Sequence, residues 1–265
     1  MDRNRKTVAE LLALKGRRQF TMLHVKTLDE AAAAEAAGID MLSIIDPLWT
    51  PAMRAAAPGC FVHVGLLYGQ LATFDDYLRA AHRAIGIGGD AVYCAASLAT
   101  IRRLRAEGIP VCGHTGLIPS RRTWTGGFRA VGKTAESALF VYRQVKALEE
   151  AGAFAAEIEV VPERVTTEIS KRTSILLLSM GAGAGCDGQY LFAEDVLGQT
   201  DGHVPRHAQV YRNFQAEYAR LQQERIAAFR EFSADVAAGR YPAARHTVGI
   251  ADDEFETFRQ LISDQ

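Results

Sequence analysis

Hydrophobic and polar positions along the chain repeat in one unit: an alanine-rich amphipathic stretch, a glycine, and a short apolar run. The unit occurs as Leu28–Ala37, Gly38, Met41–Ile45; as Phe74–Ile87, Gly88–Gly89, Ala91–Cys94; as Ala99–Glu107, Gly108, Val111–His114; and as Thr134–Ala151, Gly152, Phe154–Glu159. Apolar residues at three- and four-residue spacing predict helices, and short apolar runs bounded by glycine predict strands. Glycine just past each helix supplies the left-handed residue that ends it. Gln19–His24, Phe61–Leu67, Ser174–Ser179 and Gln189–Phe192 add further strands, and Thr7 can cap a short helix through Lys15. Strands alternating with helices place the chain in the α/β class, and this alternation favours a closed (β/α)8 TIM barrel over a doubly wound sheet. Right-handed crossovers then put the carboxyl ends of all strands on one face.

After Leu197 the pattern changes. His207–Ala238 predicts a long helix in which Tyr211, Phe214, Tyr218, Leu221, Ile226, Phe229 and Phe232 form an apolar stripe. One domain is therefore expected over residues 1–265, with additional C-terminal helices. Residues 207–239 form a helical extension that packs across the barrel or against another subunit.

Composition narrows the function classes. A chain of 265 residues suits one barrel of this type, and 48% apolar residues with a formal charge of −1 argue against disorder and against a nucleic-acid surface. A basic cluster, Arg121, Arg122, Arg129 and Lys133, reads either as a solvated loop or as a surface for an acidic ligand. No apolar run approaches membrane-spanning length, and the polar Met1–Lys6 stretch is followed by no signal-peptide core. Cys60, Cys94, Cys112 and Cys186 fall in no C-x-x-C spacing and read as reduced, small hydrophobes, so a cytoplasmic setting is expected.

Candidate chemistry gathers at strand ends. Glu159 closes an apolar strand, with Glu157 two residues earlier on the same face; a carboxylate in a dehydrated pocket is a candidate general base, and a salt-bridged glutamate is the alternative. His114 ends a strand and could donate to an oxyanion or serve as a structural histidine. Gly181–Gly188 offers backbone amides to an anion, or simply turns the chain. Asp46 is a natural oxygen ligand for Mg2+, and His63 a nitrogen ligand that would shift preference towards Zn2+ or Mn2+.

Several segments together resemble the ketopantoate hydroxymethyltransferase family of the phosphoenolpyruvate mutase/isocitrate lyase superfamily. They are Gly113–Pro119, Gly126–Lys133, Leu148–Phe154, Glu159–Pro162 and Gly181–Gln189, and the tail Gly239–His246 is similar to the family's ending, with a looser likeness elsewhere. The resemblance implies a barrel in which a small 2-oxo acid is held on Mg2+ or another divalent metal and deprotonated beside its carbonyl. The enolate then attacks a one-carbon unit from methylenetetrahydrofolate. It places the base at Glu159, a substrate-side histidine at His114, and a metal or substrate ligand at Asp46. Lys26, Tyr93, Gly181 and Gly183 become candidate substrate contacts, and a homo-oligomer is implied.

Departures fall on the metal side. The family's Ala-Asp-Met-Pro-Phe segment is here His63-Val-Gly-Leu-Leu67, and its Val-Lys-Leu-Glu segment is Val92-Tyr-Cys-Ala95. Val64, Tyr93 and Ala95 thus stand where the family carries ionisable groups, and Lys26 could fill part of the vacated charge. The reading is a divergent enzyme that makes or breaks a C–C bond beside the carbonyl of an oxo acid or related compound. The alternatives are lyase or mutase chemistry without folate, and a non-catalytic binding or scaffold homologue.

Overall fold

The computed structural model describes residues 5–263. Eight parallel strands close into a barrel: β1 (Phe20–His24), β2 (Met41–Ile45), β3 (Phe61–Gly65), β4 (Ala91–Tyr93), β5 (Val111–Gly116), β6 (Ala155–Glu159), β7 (Leu176–Met180) and β8 (Gly188–Phe192). Consecutive strands pair, and β8 returns to β1 with Phe20 opposite Gly188 and His24 opposite Phe192. The helices around them are α1 (Val8–Ala13), α2 (Leu28–Ala36), α3 (Pro51–Ala56), α4 (Phe74–Gly86), α5 (Leu98–Ala106), α6 (Arg122–Thr125), α7 (Ala135–Glu150), α8 (Glu163–Ser170) and α9 (Ala193–Leu197).

Local sequence starts and stops these elements. Thr7, Thr27, Thr73 and Thr134 each cap a helix, and each is answered three residues later by Glu10, Glu30, Asp76 or Ser137. Gly38, Gly88, Gly108 and Gly152, the expected helix-ending glycines, all take positive φ. Two residues advance per side-chain repeat along each strand, which separates two cores. Leu42, Ile44, Val62, Val64, Ala156 and Ile158 pack outward against the helices. Phe20, Met22, Met41, Phe61, Cys112, Ala155, Leu176 and Tyr190 fill the barrel.

Between β7 and β8 the chain crosses without a helix. The chain divides into two compact units, the first ending at Arg212 and the second beginning at Asn213. One domain was the expectation, with a helical extension at residues 207–239. The second unit comprises α10 (Phe214–Ala237) and α11 (Asp252–Ser263). No residue of α10 is buried, and Tyr218, Leu221, Phe229 and Phe232 of its stripe are exposed. No helix among the described residues is long and apolar enough to cross a membrane.

His63 lies inside the barrel, fully buried, with its ring 5.3 Å from that of Phe61 and 5.6 Å from that of Phe154. Neither ring nitrogen has a hydrogen-bond partner, and burial lowers its pKa from 6.5 to about 3. The folded imidazole stays neutral where the unfolded one protonates. Its contribution to stability is therefore complete above the unfolded value of 6.5 and is lost progressively as pH falls towards about 3. His63→Leu removes two unsatisfied nitrogens and should raise stability by about 1 kcal/mol or more near neutral pH. That advantage should widen at about pH 4.5. Urea unfolding at both pH values checks this, and an advantage that does not grow on acidification contradicts it.

Candidate active site

The carboxyl ends of the strands surround an inner pocket of about 310 Å3. Inward positions supply its wall: His24 from β1, Ser43 and Ile45 from β2, Gly65 from β3, Tyr93 from β4 and His114 from β5. Glu157 and Glu159 from β6, Met180 from β7, and Tyr190 and Phe192 from β8 complete it. Leu66, Leu67, Tyr68, Pro119 and Ser120 close the rim. Glu159 also lines a second, outer cleft of about 800 Å3 with Phe128, Arg129, Lys133, His203, Arg206 and His207.

His114 is the centre of the polar network. Its Nε2 lies 2.9 Å from the carbonyl of Leu117, which can only accept, so Nε2 carries the hydrogen. In the neutral ring Nδ1 is then the acceptor, 2.7 Å from the hydroxyl of Tyr93. The two glutamates flank the same ring: Glu157 Oε2 is 3.7 Å from Nδ1 and Glu159 Oε2 is 3.4 Å from Nε2. A donor role for His114 towards a substrate oxyanion is therefore not what this geometry supports. Its N–H is engaged by Leu117, and the ring lies beside both acids.

The acids differ. Glu157 and Glu159 are 4% and 8% exposed, so both are removed from water. Burial pushes the Glu157 carboxyl well up, and the charge of Glu159 beside it adds to the effect. Glu159 Oε2 has no hydrogen-bond partner. Burial likewise raises the Tyr93 and Tyr190 hydroxyls well above their usual range, with Glu157 contributing, while Tyr190 hydrogen-bonds to Ser43. Burial lowers the pKa of His24, helped by Lys26, which favours a neutral ring.

The backbone aims Glu159. Gly116 takes φ +82, and a Cβ there would stand 2.4 Å from the carbonyl oxygen of Glu159, so the chain after β5 can cross the end of β6 only with glycine. Val160, immediately after the acid, takes φ 48, a conformation that β-branched residues rarely adopt. It is pinned by its N–H to the Met180 carbonyl at 2.8 Å and by its own carbonyl to the Val131 N–H at 3.1 Å.

Other expected site residues stand elsewhere. Ile45 takes the last inward position of β2, so Asp46 begins the following turn and its carboxylate pairs with Arg83 of α4. Lys26 pairs with Glu194 of α9. His63 sits below the pocket among phenyl rings. On β3, Val64 packs outward in the helix layer and Gly65 faces the pocket, one residue on from the position aligned with the family's aspartate. Gly181 and Gly183 allow close packing: a Cβ would come 2.9 Å from His207 and 2.3 Å from Glu163, respectively. The nearby amides are engaged too, Ala182 N–H by Ser179 at 3.1 Å and Ala184 N–H by Glu163 at 3.1 Å. Close packing is thus one use of the glycines in this crossover.

Mg2+ requires clustered oxygen donors, and the residues here do not fit it. Asp46 is engaged by Arg83, His63 is remote among rings, and Gly65 and Ala95 bring no side-chain oxygen to the pocket. Among the described residues no group of three His, Cys, Asp or Glu side chains is placed to hold a metal ion.

A closed (β/α)8 barrel with a buried acid pair around one imidazole at its carboxyl mouth defines the class. Sequence comparison gives the family. The ketopantoate hydroxymethyltransferase profile matches residues 49–244, and the chain belongs to that family. It is 31% identical to 3-methyl-2-oxobutanoate hydroxymethyltransferase 1 of Methylibium petroleiphilum, covering 98% of this chain and 95% of that one. Identity to the Hyperthermus butylicus enzyme of the same name is 32%, over 99% and 97% of the two chains. In structure, a candidate phosphonomutase from Burkholderia cenocepacia superimposes with a TM-score of 0.53 at 12% identity, over 66% of this chain and 84% of that one, which is a likeness of fold.

Proposed function

We propose that the chain is an enzyme that makes or breaks a C–C bond beside the carbonyl of a small 2-oxo acid or related carbonyl compound, through an enolate or enol. The observation that carries this reading is the unpartnered Oε2 of Glu159, buried and facing a small cavity in a chain of this family. A carboxylate oxygen that has left water and found no donor is free to accept a proton from carbon. His114 stands beside that acid, and the Leu117 carbonyl fixes which nitrogen of His114 carries the hydrogen.

The outer cleft supports a second reactant. Arg129, Lys133 and Arg206 suit carboxylates such as those of methylenetetrahydrofolate, and the exposed Phe128 offers a face for an aromatic ring. Bound there, that donor would supply a one-carbon unit at the oxidation level of formaldehyde. Glu159 lines both cavities and so adjoins both reactants.

The test is exchange of the hydrogen next to the carbonyl, followed by proton NMR in D2O with small carbonyl probes, with and without methylenetetrahydrofolate. Enzyme-accelerated exchange is expected without folate, and a new C–C bond only with it. Exchange and cleavage that ignore folate would favour lyase or mutase chemistry. No exchange with any probe would sink the base assignment and leave a binding role.

A further inference from the structure

The charge inventory of the inner pocket is one-sided. None of its described lining residues is lysine or arginine, while two of them are glutamates. Cations near the rim are turned to other partners: Lys26 to Glu194, Arg83 to Asp46. Arg121 lies 5.5 Å from the ring of Tyr68 and donates to the carbonyls of Ala95 and, at 3.2 Å, Ala96. Arg129, Lys133 and Arg206 belong to the outer cleft. Burial lowers the pKa of His24, and the Nε2–H of His114 is already given to the Leu117 carbonyl. Among the described residues no group of metal ligands stands by to replace the missing positive charge. A carboxylate entering this pocket would meet Glu159 with no counter-ion, in surroundings that screen charge poorly.

We propose that the carbonyl compound taken into the inner pocket carries no carboxylate or other anionic group, and that the acid pair enolises it without a metal, Glu159 taking the proton from carbon and Glu157 giving one to the carbonyl oxygen. The inference rests on the reading of Glu159 as base and narrows its substrate class to small uncharged ketones, aldehydes or their amide derivatives. Both acids line the pocket, and they flank opposite nitrogens of one imidazole, which keeps them in fixed relation. The step balances. The C–H bond breaks as Glu159 becomes a neutral acid, the carbonyl oxygen gains the Glu157 proton, and the product is an enol beside a Glu157 carboxylate. One negative charge is present before and after, so the dry pocket never has to hold two. Burial and the neighbouring charge, which favour the protonated form of Glu157, give it the proton to donate. Ile45, Leu66, Met180 and Phe192 supply the apolar surface such a substrate would cover.

Two probes of equal shape test this with the full chain: 3-methyl-2-oxobutanoate and its amide, 3-methyl-2-oxobutanamide. Exchange at the branched carbon in D2O is measured for each relative to its own rate in buffer, first with a chelator and then with excess Mg2+. The expected result is enzyme-accelerated exchange of the amide, insensitive to chelator, with the acid slower by roughly a hundredfold. Glu157→Gln should slow exchange of the amide at least about tenfold, since an amide side chain can donate a hydrogen bond but cannot deliver a proton. Exchange of the acid as fast as the amide, or exchange of the acid that needs Mg2+, would overturn the charge selection while leaving Glu159 as base. Unchanged exchange in Glu157→Gln would overturn the donor role. If neither probe exchanges, this inference and the base assignment fall together.

Discussion

Glu159→Gln is expected to lower carbonyl-adjacent exchange by about 10^2 to 10^4, the usual range for loss of a general base. The substitution conserves shape and removes the only group at that position able to take a proton. Because Oε2 of Glu159 has no hydrogen-bond partner, little ground-state bonding is lost with it. The variant should keep the wild-type unfolding midpoint to within about 1 kcal/mol. Rate and midpoint measured on one preparation separate chemistry from folding. Undiminished exchange in a folded variant would assign the base elsewhere.

Gly116→Ala should be among the most damaging single substitutions in the barrel. Its Cβ would lie 2.4 Å from the Glu159 carbonyl oxygen and 2.7 Å from Val161 Cγ2, at φ +82. Backbone cannot give way as a flexible side chain can, so a loss of about 3 kcal/mol or more is expected, with failure to fold as the extreme. Gly38→Ala is the control: φ is +74 there and nothing lies within 4 Å of the added carbon. Its cost should be the left-handed backbone alone, about 1 kcal/mol. Urea midpoints of the two variants compare crowding with conformation directly. Equal losses would mean that the approach of β5 to β6 is looser than described.

Alternation made much of the barrel legible. Apolar runs mark all eight strands, four of them behind a helix-ending glycine, although β5 runs on to Gly116 and β7 to Met180, beyond the expected ends. The period of two carried Glu157 and Glu159 to one face and brought Tyr93 and His114 towards them. It could equally have marked Ser43 and Tyr190, inward residues two before a strand end, which composition alone left unremarked. Asp46 lies outside the pocket lining for a physical reason. A strand end does not reveal which residue is last to face inward, and Arg83, thirty-seven positions away, is invisible to local pattern. The same one-residue ambiguity separates Val64 from Gly65. Glycine-rich sequence at 181–188 signalled freedom of the backbone, but only packing shows that Glu163, Thr167 and His207 use that freedom for close contact. The end of the first unit at Arg212 had no mark in the hydrophobic stripe, which runs across it from Tyr211 to Phe214.

The seam between β1 and β8 has a consequence for how the protein comes to exist. Every other strand pairing joins consecutive strands, whereas this one joins the two ends of the barrel. Local pairings repay their loop entropy early, and a pairing across nearly the whole unit comes late. Tyr93, His114, Glu157 and Glu159 lie on neighbouring strands and can assemble before closure. His24, Tyr190 and Phe192 reach the opposite wall only as the seam zips. If pairing follows that order, the four side chains on β4, β5 and β6 meet during synthesis before the opposite wall encloses them.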